Sequence, residues 1–260
     1  MIKEKEQAVV LSQERLAEGI FSIWIQTQAA KRANPGQFMS VYTEDRSRLL
    51  PRPISICEID KDRRALRMVY RVTGEHTGTK QFSRLQTGDK IPVIGPLGNG
   101  FPLERGRGKR VFLIGGGIGV PPVLELAKQL QCENKQIVAG YRDGQTFLRE
   151  SFEEHGRLYI ATEDGSVGCR GNVMDAIREN GLEAELIYAC GPAPMLRAVK
   201  AYAEERQLEC YVSMEERMAC GIGACLGCVC MSRETDSHSN VKNKRICKDG
   251  PVFLSTEVEI

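Results

Sequence analysis

Net charge is nearly absent from this sequence. Its 36 Lys and Arg residues stand against 34 Asp and Glu residues, a formal charge of +2 over 260 residues. A balance this even argues against nucleic acid as a main partner. No apolar run approaches the roughly 18 residues needed to span a bilayer, so no membrane role is expected. The opening stretch, MIKEKEQAVVLSQ, mixes both charge signs and lacks the apolar region of a secretion signal, which predicts a cytoplasmic location. Low-complexity tracts are missing too. Histidine is scarce, and His76, His155 and His238 all fall in polar stretches that predict solvated side chains. With 42% hydrophobic and 27% charged residues, the composition is that of a soluble globular protein with a real core. At about 100–200 residues per domain, the length fits one large or two modest domains with a small appendix.

Cysteine is the residue in excess. Of ten, Cys220, Cys225, Cys228, Cys230 and Cys247 crowd one end of the chain. Without a secretion signal, and at this length, a disulfide scaffold is disfavoured, and such a cluster reads as a metal site. Cys220-x₄-Cys225-x₂-Cys228, followed after 18 residues by Cys247, matches the plant-type [2Fe–2S] spacing. Iron in these centres needs soft thiolates, and Gly221, Gly223 and Gly227 let a loop wrap around them. Zinc is the competing occupant, although this is not the usual paired zinc-knuckle spacing. Cys230 is a spare thiol. Cys57, Cys132, Cys169 and Cys210 read as ordinary reduced cysteines.

Residues 1 to about 103 read as β. Short strand-like runs at 8–11, 20–25, 38–42, 54–57, 66–72 and 91–94 are separated by turn residues, which suggests a barrel or sandwich. A polar, glycine-rich stretch at 104–110 reads as a linker. Beyond it, strand-like runs at 111–114, 137–141, 158–161 and 186–189 alternate with helical stretches. In the first of these, Val123, Leu124, Ala127 and Leu130 make one apolar face. This alternation predicts βαβ units around a parallel sheet. From about 213 the chain reads as loop.

Three motifs lie on this frame. Gly115-Gly116-Gly117-Ile118-Gly119-Val120-Pro121-Pro122 joins a strand to a helix, where glycines let backbone approach a phosphate and free N–H groups favour an anion. It is not the G-x-G-x-x-G fingerprint with a following acid. Tyr188 to Leu196, YACGPAPML, is a second strand-to-helix junction, and in a parallel sheet both should open on the carboxyl edge of the strands. Arg52-Pro53-Ile54-Ser55 starts a β run; the arginine suits a pyrophosphate and the serine hydroxyl a ring nitrogen.

R-P-I-S in a β region, two glycine junctions in an α/β region and a C-terminal C-x₄-C-x₂-C…C resemble, in that order, the ferredoxin-reductase-like flavoproteins. Within them the chain is most similar to the electron-transfer subunits of NAD-dependent (type B) dihydroorotate dehydrogenases. The strings MEERMACGIGAC (214–225) and CKDGPVF (247–253) are the specific parts. The resemblance implies an antiparallel β-barrel FAD domain over 1–103, an α/β parallel-sheet NAD domain over 104–212 and a small [2Fe–2S] domain over 213–260. It implies FAD contacts at Arg52, Pro53, Ile54, Ser55, Val69, Tyr70, Arg71, Gly78 and Thr79. It implies NAD contacts at Gly115, Gly116, Gly117, Gly119, Cys190, Gly191 and Pro192, and cluster ligands at Cys220, Cys225, Cys228 and Cys247. Two features differ from the family pattern. Gly74 to Thr79 is two residues longer than G-x-G-T, and the polar stretch between Cys228 and Cys247 reads as a surface insertion.

The parts also make chemical sense together. NAD⁺ takes a hydride, a cluster moves single electrons, and a flavin does both, so it belongs between them. The expected path runs from the FMN of a dihydroorotate-oxidising partner subunit through [2Fe–2S] and FAD to NAD⁺, in pyrimidine (UMP) biosynthesis. No general base for the oxidation stands out, as expected of a relay. The resemblance implies a heterotetramer with two of each subunit. Asp143, Glu163 and Asp164 near strand ends favour NAD over NADP, while Arg142 points the other way. The alternative is a ferredoxin- and NADP(H)-linked flavin iron–sulfur reductase subunit.

Overall fold

The computed structural model describes residues 5–45, 47–235 and 240–260. The first six strands are β1 (Lys5–Ala17), β2 (Ile20–Gln26), β3 (Phe38–Val41), β4 (Arg52–Asp60), β5 (Ala65–Arg71) and β6 (Lys90–Leu97), with the short helix α1 (Gly78–Phe82) between the last two. They close into an antiparallel barrel in the order β1-β2-β5-β4-β3-β6. Closure leaves no unpaired edge. Ile23, Ile25, Met39, Val41, Ile56, Leu66 and Met68 fill the interior, and α1 drives Phe82 into the same core. Thr77 starts α1 by accepting from the Lys80 N–H at 3.3 Å.

After a 3₁₀ turn at Leu103–Gly106, strands and helices alternate as expected. They are β7 (Arg110–Gly116), α2 (Pro121–Gln129), β8 (Asn134–Tyr141), α3 (Arg149–Glu153), β9 (Arg157–Thr162), β10 (Cys169–Arg170), α4 (Val173–Glu179), β11 (Leu186–Cys190), α5 (Ala193–Glu205) and β12 (Glu209–Ser213). Pro121 sits where a helix needs no N–H, and Asn172 with Asp175 forms a capping box on α4. The sheet order is β10-β9-β8-β7-β11-β12, all parallel, with the C-terminal strand β15 (Val252–Leu254) added beyond β12. The chain builds outward from β7 in one direction and then returns to its other side at β11. That reversal makes a crevice at the carboxyl ends of β7 and β11, where such sheets take ligands.

The segment read as loop from 213 carries structure of its own. β13 (Val229–Met231) and β14 (Asn243–Arg245) pair as a hairpin, and β15 (Val252–Leu254) adds an antiparallel edge to the main sheet beside β12. Three-residue strands leave too short a pattern for sequence periodicity to reveal. His238 and the rest of 236–239 lie outside the described residues. His76 is exposed, whereas His155 is half-buried, and burial pushes its pKa down.

Helix α2 fastens the sheet to the barrel. Its Glu125, 2% exposed, accepts from the Ile59 N–H at 2.7 Å and from the Gln129 amide at 2.6 Å. Lys128 of the same helix pairs with Glu58 of β4 at 3.0 Å, and Glu58 pairs with Arg67 of β5 at 2.6 Å. Among the described residues, no helix is long and apolar enough to cross a membrane.

Candidate functional site

A cavity of about 270 Å³ opens where the barrel meets the sheet. From the barrel it is lined by Arg52, Pro53, Ile54, Ser55, Val69, Tyr70, Arg71 and Thr79, on β4, β5 and the start of α1. The residues the family pattern assigns to FAD are thus gathered by strand pairing. Gly78 does not line the cavity but backs it. A Cβ there would lie 3.0 Å from the Arg52 Nε, so a larger residue would push the guanidinium back from the start of α1. Arg52 is further held by the Leu50 carbonyl at 2.5 Å. An arginine set beside a buried glycine and a threonine hydroxyl suits a pyrophosphate, so the donor set fits the flavin nucleotide.

The two glycine junctions meet at the switch point. Cys190 stands in register with Gly115 on one side and Ser213 on the other. Side-chain space between the two loops is nil. A Cβ on Gly119 would clash with the Cys190 carbonyl, and one on Gly116 with the Met195 sulfur. Gly117 is different. Its φ of +55° needs glycine, and its open side faces the Arg71 guanidinium, 3.7 Å from where a Cβ would be. A second cavity of about 310 Å³ begins there, lined by Arg71, Gly117, Tyr141, Arg142, Asp143, Gln145 and, from the barrel, Glu18. Gln145 bridges the two bodies by accepting from the Glu18 N–H at 2.7 Å. Glu163 and Asp164 do not line this cavity; Asp164 instead accepts from Ser166 in a turn.

The cysteine loop begins where the first cavity ends. Met218 lines the cavity and Cys220 follows two residues later. The thiols come together in two pairs, Cys220 with Cys225 and Cys228 with Cys247, in each of which one thiol lies close enough to hold the other's pKa down. Among the described residues, no three His, Cys, Asp or Glu side chains converge as they would around one ion. Two pairs suit a binuclear centre, with two thiolates for each iron, better than a single zinc. Backbone N–H groups of Ile222 and Ala224 point at the Cys220 sulfur from 3.4 and 3.3 Å, and those of Gly227 and Cys247 at Cys225 and Cys228 from 3.4 Å each. Burial alone would raise Cys220, but these donors and Cys225 hold it down at about 7. Cys247 holds Cys228 down at about 6 and is itself pushed up by it. One thiol of each pair, Cys220 and Cys228, is therefore the more readily ionised before any metal enters.

The C-terminal segment, residues 215–259, matches the iron–sulfur cluster binding domain of dihydroorotate dehydrogenase B. Residues 113–201 match an oxidoreductase NAD-binding domain. A dihydroorotate dehydrogenase B (NAD⁺) electron transfer subunit from Geobacillus sp. (strain WCH70) is 42% identical, over 98% of each chain. The chain belongs to that family. Two solved structures share its fold. One is an NADH-dependent reduced ferredoxin-NADP oxidoreductase, with TM-score 0.86, 27% identity and coverage of 98% of this chain and 90% of that one. The other is a ferredoxin NADP⁺ reductase from Neisseria gonorrhoeae with bound FAD and NADP, with TM-score 0.67, 16% identity and coverage of 82% and 94%.

Several lining residues were not among the site residues expected from the sequence, although four of them fall within the string at 214–225. Ser213, Met214, Glu215, Glu216 and Met218 close the first cavity from the sheet side. Their signal was position, between the carboxyl end of a parallel strand and the first cysteine. Surrounding atoms push the Glu215 carboxyl up although its side chain reaches solvent, and Arg71 draws it back down. Arg245 was equally silent. It grips Asp249 at 3.0 Å and reaches the Gly223 carbonyl at 3.4 Å, tying the two ends of the cysteine loop together. Cys230 turns away from the thiol pairs and donates to the Lys244 carbonyl at 3.6 Å.

Proposed function

We propose that this chain carries electrons from a dihydroorotate-oxidising partner subunit to NAD⁺, in de novo pyrimidine (UMP) biosynthesis. One observation carries the reading: a single cavity is walled by the barrel, by Ile118 of the glycine loop and by Met218, two residues before the first cluster cysteine. Sites for a flavin, a nicotinamide and a cluster are therefore neighbours. When bound, the cluster supplies single-electron carriage and the flavin the exchange between single electrons and a hydride.

Arg52, Gly78 and Thr79 hold the FAD pyrophosphate, while Pro53, Ile54, Ser55, Val69 and Tyr70 enclose the ring system. Arg71 belongs to both cavities and neutralises phosphate charge where they join. Gly117 opens the dinucleotide path. Gly115, Gly116, Gly119, Gly191 and Pro192 let the two loops close on each other, and Cys190 backs the nicotinamide end. Burial pushes its thiol well up, so it serves by shape and not as a thiolate. Cys220, Cys225, Cys228 and Cys247 hold the [2Fe–2S] cluster.

The partner is an FMN-bearing catalytic subunit, two of each forming the assembly, and the chain works in the cytoplasm. Electron transfer needs short distances, so docking falls on the cluster face, where Ile222, Leu226, Val229, Met231 and Val241 are exposed. The chain divides at 1–103, 104–212 and 213–260, the last part returning β15 to the middle sheet. A ferredoxin- and NADP(H)-linked role is the alternative, and the likeness to the ferredoxin-NADP oxidoreductase favours it. Relatives at 42% identity outweigh one at 27%. Anaerobic copurification decides between them. The expected complex contains flavin, cluster and a second subunit, and it reduces NAD⁺ when given dihydroorotate. A colourless preparation with stoichiometric zinc, or a complex that answers only to ferredoxin, overturns the proposal.

A further inference from the structure

We infer that the Ser40 hydroxyl donates a hydrogen bond to the cluster on its barrel side and raises its reduction potential. The inference rests on the cluster reading above. Ser40 is 1% exposed, and among the described residues its Oγ is the buried side-chain polar atom without a hydrogen-bond partner. Leaving such a group buried and unpaired is unfavourable. The strand pairing tells which way it faces. Met39 and Val41 alternate into the barrel core, so Ser40 points outward. It stands opposite Pro53, and Phe38 stands opposite Ser55. Phe38, Pro53 and Ser55 line the first cavity, so one face of β3 and β4 runs from that cavity to Ser40.

Beyond Ser40 lies the cysteine loop. A Cβ on Gly221 would sit 2.6 Å from the Ser40 Oγ, and Gly221 directly follows Cys220. Its φ of +68° and this close approach both demand glycine. On the loop side, the N–H groups of Ile222 and Ala224 already aim at the Cys220 sulfur. Ser40 supplies the matching donor from the barrel. The sulfurs of a loaded cluster carry negative charge and accept hydrogen bonds. Reduction adds negative charge, so a donor here favours the reduced form.

The test is a redox titration of the cluster in the intact complex, read by its paramagnetic resonance signal, for wild type, Ser40→Ala and Ser40→Thr. Ser40→Ala is expected to weaken cluster reduction about tenfold, about 59 mV for one electron, with the flavin potential unmoved. Ser40→Thr keeps the donor and stays near wild type. One proton coupling to the reduced cluster, identified by its loss in deuterated buffer, is expected in wild type and Ser40→Thr and absent from Ser40→Ala. An unchanged cluster potential in Ser40→Ala overturns the inference. An equal drop in both variants does the same, because it reports packing and not the hydroxyl. A wild-type complex with no cluster signal overturns the functional reading itself.

Discussion

Cys225 and Cys230 lie five positions apart on one loop, yet only one of them points at another thiol. Cys225 meets Cys220, while β13 turns Cys230 toward a backbone carbonyl of β14. Cys225→Ser should abolish the visible and resonance signals of the cluster while leaving the flavin spectrum intact. Cys230→Ser and Cys132→Ser should leave both. Arg52 is the comparable residue in the first cavity. A hydrogen bond to a charged group contributes about 1.5–3 kcal/mol, so Arg52→Ala should weaken FAD binding roughly 10- to 150-fold, read as flavin lost on dialysis. Neither residue type announces its role alone. Spacing marked the four cysteines proposed as ligands, whereas Arg52 stood out only with Pro53, Ile54 and Ser55 beside it.

At the scale of elements, the glycine loop and the helix behind it do separate work. Gly119 is pressed against the Cys190 carbonyl, so Gly119→Ala forces two strand ends apart. Overpacking of this kind costs about 1–3 kcal/mol. The variant should unfold at lower denaturant concentration and reduce its flavin more slowly with NADH. A sequence reading credits these glycines to phosphate contact, because nothing local reveals that β11 ends beside β7. Helix α2 presents the opposite case. Its apolar stripe was plain, but Glu125 sits within the buried face against β4. Burial pushes its carboxyl up. A group raised on folding adds stability in full below the ordinary carboxylate value, and that contribution is lost as pH rises through the raised value. The stability of wild type relative to Glu125→Gln should therefore fall as pH climbs from about 4.3 through that raised value. Unfolding titrations of both proteins across this range check the sign.

At the scale of the whole molecule, barrel, sheet and cysteine segment contribute to one cavity, and Arg71 links it to the next. The second cavity bears on coenzyme choice. Asp143 lines it, and the Gln145–Glu18 bridge narrows it from the barrel side. A carboxylate there repels a 2′-phosphate, so NADH should reduce the flavin much faster than NADPH in stopped-flow mixing. Equal rates would sink this assignment. Arg142 lines the same wall, which makes Asp143→Asn the informative variant: NADPH should gain on NADH.

Much of the architecture was determined by the chain itself. Alternation of period two, the strand-to-helix rhythm, the glycine junctions and the cysteine spacing are local patterns, and local patterns survive in a linear string. They set the barrel and the parallel sheet, and they mark the four cysteines proposed to hold the cluster. Tertiary structure decided what depends on contacts between distant segments. Ser40 meets Gly221, Glu18 meets Gln145, and Arg245 clamps Gly223 to Asp249, each pairing set by how strands close and cross. β15 finds its place only because β12 offers an open edge. A side chain's role in this protein follows from its residue type where its partner lies a few positions away, and from the fold where its partner comes from another part of the chain.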